Sequence, residues 1–150
     1  MNRNQLQDKM SSLRGWSADE ERADLLKSYA KKLGYTENVT GDVASGDQVI
    51  FARATFTGSH KKPRFAGIEV ISGKVVADSY GKAKQQHTFT IKTSKGSMRI
   101  KGRNLYSIAV FAKPRCADER QASLDDKHKR GDRAREIRYA RKMAESELYF

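Results

Sequence analysis

From residue 47 to residue 112 the chain carries twelve lysines and arginines against three carboxylates, Asp47, Glu69 and Asp78. Anion binding is the chemistry that such residues do. The twelve are Arg53, Lys61, Lys62, Arg64, Lys74, Lys82, Lys84, Lys92, Lys95, Arg99, Lys101 and Arg103. The residues before this segment carry as many acids as bases, and those after it have only a small basic excess. A net charge of +12 is therefore regional, and a polyanion such as a nucleic acid is the partner that fits it.

Within this excess, four groupings could contact a nucleic acid. His60, Lys61, Lys62, Pro63 and Arg64 form a proline-stiffened turn that can present several cations at low entropic cost, the alternative being a solvated loop. Arg99, Lys101 and Arg103 follow one another at strand spacing. Gly102 can bend the chain so that Arg103 and Asn104 turn towards a groove, although Arg103 is equally suited to pairing with Asp78 or Glu69. Tyr80 stands beside Lys82 and Lys84, an arrangement that can stack on bases but also closes a packed strand. Arg135, Arg138 and Lys142 recur at i, i+3 and i+7, with Arg133 and Arg141 nearby. They either track a phosphate backbone or form a solvated face paired with Glu136 and Glu145.

Catalysis has little support. His60, His87 and His128 are far apart, Cys116 is the only cysteine, and there is no phosphate-loop glycine pattern. Asp47, Glu69 and Asp78 with Lys74 could hold Mg²⁺ in a nuclease, but carboxylates scattered through a sheet are more often turn and surface residues. We therefore expect no enzyme, no cofactor and no metal. A lone cysteine suits a reducing compartment. The polar N-terminus and the lack of a long apolar run lead us to expect a soluble, cytoplasmic protein without a membrane partner.

The elements that must position these cations follow from the periodicity. Leu6, Met10 and Leu13 predict a short helix ending near Gly15. Ser17 and Glu20 have capping-box spacing for a second helix reaching Leu33, with Leu25, Leu26, Tyr29, Ala30 and Leu33 as its buried stripe. Trp16 would anchor that helix. From Gly46 the period becomes two, predicting strands near 48–56, 65–71, 74–80, 87–93, 97–101 and 107–112, with turns at Gly58, Ser72-Gly73, Gly81, Lys95-Gly96 and Gly102. A two-residue turn at Lys95-Gly96 would set Ile91 opposite Ile100 and Lys92 opposite Arg99, with Lys101 beside Thr90. Opposed like charges cost stability, so an external anion would sit across them. Leu105 and Tyr106 belong to the core. Residues 113–131 read as a linker or loose helix, and a last helix from about Asp132 to Leu148 carries an apolar stripe of Ala134, Ile137, Ala140, Ala144 and Leu148.

Gly46-Asp47-Gln48-Val49 and Ser72-Gly73-Lys74-Val75-Val76 resemble the KOW type of SH3-like barrel found in ribosomal proteins and transcription elongation factors. In that pattern each glycine turns the backbone, through positive φ, before a valine strand. The spacing departs from the pattern, because the basic 58–64 stretch separates the two glycines. A KOW-like centre with helical ends is similar to early DNA-binding proteins of T-even phages. That resemblance implies largely sequence-independent duplex binding in the bacterial or phage-infected cytosol, associated with the nucleoid or with transcription.

The expected fold is therefore α+β: a small SH3-like (KOW-type) β-barrel over 46–112, two N-terminal helices within 1–45, and a linker with an arginine-rich helix over 113–150. Double-stranded DNA is the first partner to expect. RNA is the second, and contact with RNA polymerase, the ribosome or a nucleoid protein is the competing class.

Overall fold

The computed structural model describes residues 1–80 and 87–148, apart from the side chains of Tyr80, His87 and residues 145–148. Helices α1 (Arg3–Ser12) and α2 (Ala18–Lys32) lead into strands β1 (Glu37–Asn38), β2 (Gln48–Ser59), β3 (Lys62–Tyr80), β4 (His87–Thr93) and β5 (Gly96–Lys101). A one-turn helix α3 (Gly102–Leu105), strand β6 (Val110–Ala112) and a long helix α4 (Ala117–Leu148) complete the chain. The fold is α+β. Its strands form one antiparallel sheet in the order β1-β6-β2-β3-β4-β5.

The sheet is buried on both faces around β2, β6 and the middle of β3. Along β2, Val49 and Phe51 point into one core with Ile71, Val75, Phe89, Ile91 and Ile100, while Ile50 and Ala52 point into another beneath Leu6 and Met10 of α1 and Leu26 and Ala30 of α2. This alternation is the strand period of two, applied to a strand that is covered on both sides. Leu105 and Tyr106 join the first core as expected, the Tyr106 ring meeting Phe89 edge-on at 5.9 Å. Helix α3 touches β2, β4 and β5, so the sheet curls towards its own first core. No described ladder joins β5 to β1 or β6, so the curl does not close into a barrel.

Several local expectations need correcting. The strands expected at 65–71 and 74–80 are one 19-residue strand, β3, running straight through Ser72-Gly73. Gly46 does turn the chain at φ +94°, but Gly73 does not adopt positive φ. A Cβ on Gly73 would lie 2.6 Å from the Lys92 carbonyl oxygen and 2.7 Å from Ile91 Cγ2, so this glycine is needed for close approach by β4. The basic 58–64 stretch is likewise no loop: Gly58 faces Pro63, Ser59 faces Lys62, and only His60 and Lys61 form the turn.

In the β4–β5 hairpin the turn is Ser94-Lys95, one residue earlier than expected. Ile91 then faces Met98, Thr90 faces Arg99, Lys92 faces Ser97 and Thr88 faces Lys101. The register moves by two residues, which leaves every side chain on its expected face and changes its partner. At the N-terminus the capping box is Asn2 with Gln5, and Ser17 makes no side-chain cap. Trp16 anchors nothing, being 95% exposed.

Helix α4 begins at Ala117, so most of the expected linker is helical. Its buried side is Leu124, Lys127 and Gly131, next to the half-buried Arg120. The apolar stripe expected further along is uncovered where it is described, with Ile137 49% exposed and Ala140 and Ala144 exposed.

One contact decides how α1 sits. Between residues 62 and 73, β3 has β2 on one side and no strand on the other. Helix α1 supplies the missing partners. Arg3 Nη2 donates to Ser72 Oγ at 2.9 Å, Val70 N donates to Gln7 Oε1 at 2.8 Å, and Ile68 N donates to Ser11 Oγ at 2.8 Å. Four helical residues advance about 6 Å and two strand residues about 6.6 Å, so a polar side chain every fourth position keeps step with every second residue of the strand. Because Ile68 and Val70 are buried, Gln7→Ala and Ser11→Ala should each cost about 1–3 kcal/mol through an orphaned N–H. Urea unfolding measures this, and wild-type midpoints in both variants would remove the edge contact from the account. Gly73→Ala should destabilise by at least about 1–3 kcal/mol, because the added methyl meets β4 backbone; a neutral thermal melt would contradict the close approach.

Candidate nucleic-acid interface

The cations of the sheet divide by face. Lys74 stands directly opposite Lys92, and Thr90 opposite both Ala77 and Arg99. Thr88 stands opposite Ser79 and Lys101. Directly paired residues share a face, so Lys74, Lys92, Arg99 and Lys101 project together from the side turned away from the first core. All four are exposed. Their neighbours on that side are small or hydroxyl-bearing: Ala77, Ser79, Thr88, Thr90 and Ser97. No carboxylate of β3, β4 or β5 faces this way, since the one acid beyond Gly73 is Asp78, which is paired with Phe89 and buried on the opposite side.

The bulge at Val75–Ala77 restores this alternation beyond Lys74. The opposed cations expected at Lys92 and Arg99 are thus absent, and the like-charge pair is Lys74 with Lys92. Lys95 sits in the adjoining turn, and Arg103 is exposed on α3.

The carboxylates of the segment are engaged elsewhere. Asp47 is 1% exposed; it accepts from Ala44 N at 3.0 Å and from Arg120 Nε at 3.2 Å, with Arg115 Nε at 3.4 Å. Asp78 is paired with Arg130, which also donates to the Asp78 carbonyl at 2.7 Å. Glu69 pairs with Arg53 at 3.4 Å, so Arg53 is a half-buried structural arginine and not part of the cationic face. Glu69 and Asp78 therefore have their partners in Arg53 and Arg130, not in Arg103. Lys127 lies buried with its Nζ donating to the Val43 carbonyl at 3.1 Å. Burial holds this ammonium below its ordinary range, with Asp42 and Asp78 pulling the other way. Together these contacts fasten the first half of α4 to the loop ahead of β2.

The remaining expected site residues lie apart. His60, Lys61, Lys62 and Arg64 are exposed at the far end of the β2–β3 hairpin. Arg135 pairs with Asp132, Arg138 Nε donates to the Ala134 carbonyl at 3.2 Å, and Lys142 is exposed, all on the second half of α4. Lys82 and Lys84, with the proposed stacking site beside Tyr80, fall outside the described residues. Lys74 was not among the expected site residues, although its place after Gly73 in an alternating strand puts it on the same face as Lys92. No group of three metal-ligating side chains occurs among the described residues. No described helix is long and apolar enough to cross a membrane.

Residues 39–114, which contain the sheet from β2 to β6, match the family described as Domain of unknown function (DUF7699). The chain belongs to this family. The DUF7699 region ends just before α4 and begins after α2. The chain is also 36% identical over 120 residues to a zinc finger CCCH domain-containing protein 62 of Oryza sativa subsp. japonica, covering 69% of this chain and 17% of that protein. The chain thus spans about a sixth of the curated relative it matches. With Cys116 as its one cysteine, it holds no CCCH ligand set of its own. No solved structure matches it.

Asp47 joins the DUF7699 sheet to the helix outside it. Asp47→Asn should cost roughly 3 kcal/mol, because Arg115 and Arg120 keep their charges without the buried partner. Chemical unfolding followed by circular dichroism reads this, and a midpoint equal to the wild type would mean that α4 docks without the pair.

Proposed function

We propose that this chain is a non-catalytic nucleic-acid-binding module that meets double-stranded DNA through the outer face of β3, β4 and β5. The observation carrying this reading is the pair Lys74 and Lys92, directly opposed on an uncovered face with Arg99 and Lys101 and without a carboxylate. Opposed ammonium groups repel, and an external phosphate between them turns the repulsion into attraction. Charged residues on β5 can also be understood as protection of an edge strand against pairing. That explanation does not reach Lys74 and Lys92, which lie on interior strands.

Duplex DNA is favoured over single strands because the cationic face is interleaved with hydroxyls and methyls, not aromatics. The exposed aromatics among the described residues, Trp16, Phe56, Phe65 and Tyr139, lie on the α1–α2 loop, at the other end of the β2–β3 hairpin and on the second half of α4. A cationic face of this kind contacts phosphates and reads little sequence. Of the KOW-type pattern, Gly46 turns at positive φ ahead of the Val49 strand, whereas Gly73 does not turn and β3 runs through it, so the reading rests on the cationic face and not on that resemblance.

Fluorescence anisotropy with matched duplex DNA, single-stranded DNA and duplex RNA over a salt series tests this. Four phosphate contacts give a log–log slope of about −4 from the face alone. Lys92→Ser with Arg99→Ser should flatten the slope by about two units on every duplex sequence. An unchanged slope would take the face out of the site. A preference for duplex RNA would reassign the partner, and failure to bind all three would leave an acidic protein surface as the partner class.

A further inference from the structure

Resting on the duplex-binding reading, we propose that the distal β2–β3 ribbon, residues 56–66, is an arm that enters the major groove and reads base edges. Every residue from 56 to 66 is exposed. Both edges of this ribbon are unpaired: β6 pairs with β2 only at Val49–Phe51, and β4 pairs with β3 only from Lys74 onwards. The side-chain cap provided by α1 ends at Ile68. The ribbon therefore leaves the body of the protein and extends from it by roughly 15 Å at strand rise.

A free two-stranded ribbon is marginal by itself, and this one is fixed at its base. Phe56 and Phe65 meet edge-on at 6.3 Å, and the guanidinium carbons of Arg14 and Arg22 lie 5.5 Å and 5.8 Å from the Phe65 ring centre. Arg22 is itself held by the Met10 and Leu13 carbonyls at the end of α1. The anchored base aims a tip that contributes nothing to either core.

The two faces of the arm differ. Thr57 is paired with Arg64 and Ser59 with Lys62, which puts two cations and two hydroxyls on one side; Gly58 with Pro63 continues the flat apolar side begun by the two phenylalanines. No acid occurs from residue 54 to residue 68. A two-stranded ribbon fits a major groove about 12 Å wide, where lysine and arginine donate to guanine N7 and O6 and hydroxyls serve either base edge. The minor groove, about 6 Å wide, does not admit it without deformation. The arm therefore adds a sequence preference to a protein whose sheet face has none.

Dimethyl sulfate footprinting reads guanine N7 in the major groove and tests the arm directly. The full chain is titrated onto a mixed-sequence duplex, beside Lys62→Ser/Arg64→Ser in the arm and Lys92→Ser/Arg99→Ser on the face, all at exposed positions. Wild-type protein at saturation should protect guanines. The arm variant should lose that protection while binding within about tenfold of wild type, and the face variant should bind more weakly yet protect when saturating. Saturated wild-type complex with fully reactive guanines would overturn the arm and leave the duplex reading standing, and so would an arm variant that protects as wild type does. Absence of duplex binding at any concentration would overturn both.

Discussion

The backbone of β3 governs this structure. A strand of 19 residues presents donors and acceptors along two edges, and each buried group needs a partner. β2 covers one edge from Lys62 to Lys74, and β4 covers the other from Lys74 to Tyr80. In the middle of that second edge Gln7 and Ser11 of α1 accept from the backbone N–H groups of Val70 and Ile68, Arg3 adds a bond to the Ser72 hydroxyl, and the beginning of the edge is left open. Strand, helix and solvent thus succeed one another along one edge. Helix α1 is held in place by this demand, and α2 follows through the second core and through Arg22, whose guanidinium satisfies carbonyls at the end of α1.

Charge is divided by place. Asp47, Glu69 and Asp78 are met by Arg115, Arg120, Arg53 and Arg130, side chains whose planar fork suits a fixed carboxylate. The described lysines of the sheet segment, with Arg64, Arg99 and Arg103, are left on surfaces: Lys74, Lys92, Lys95, Lys101 and Arg99 around the outer face, Lys61, Lys62 and Arg64 on the arm, and Arg103 on α3. A mobile ammonium on a flexible stem suits a partner that slides or varies in sequence. The internal arginine pairs have a second consequence. They remove nearly all of the negative field that would otherwise compete with a phosphate at the face, so the regional excess seen in the sequence becomes an excess at the surface.

What could be read from the sequence follows how each element is held. Helices α1 and α2 were legible because Leu6, Met10, Leu26 and Ala30 repeat at helical spacing and are buried. The faces of β4 and β5 were legible from alternation, but their partners were not, because Gly96 at φ +118° belongs to the strand just past the turn and looks the same as a turn residue. Gly73 misled for a related reason: whether a glycine bends the chain or admits a neighbour is decided by β4, not by its own surroundings. The first half of α4 has no apolar rhythm to find, since it docks through Arg120, Lys127 and Arg130. Arg3, Gln7 and Ser11 recur at intervals of four on α1, a polar pattern that resembles a solvated face until the bare edge of β3 is known. The cations were legible as a region, whereas their separation into ion-paired residues such as Arg53 and surface residues such as Lys74, Lys92 and Arg99 needed the fold.

A single strand also sets the distance between the two surfaces assigned to DNA. Arg64 on the arm and Lys74 on the face are both on β3, ten residues apart, and a fully extended strand spans at most about 33 Å over that length. One turn of duplex rises about 34 Å. The bulge opposite Thr55–Phe56, where Ala66 is the extra residue of β3, makes the real span shorter than this limit. The face continues from Lys74 to the level of Ser79, where Lys101 stands, fifteen residues from Arg64 and at most about 50 Å away, so the two proposed surfaces together reach beyond a single helical turn. Gly73 then has two roles that cannot be separated by looking at packing alone, since the same absence of a side chain that admits β4 also fixes the angle between arm and face.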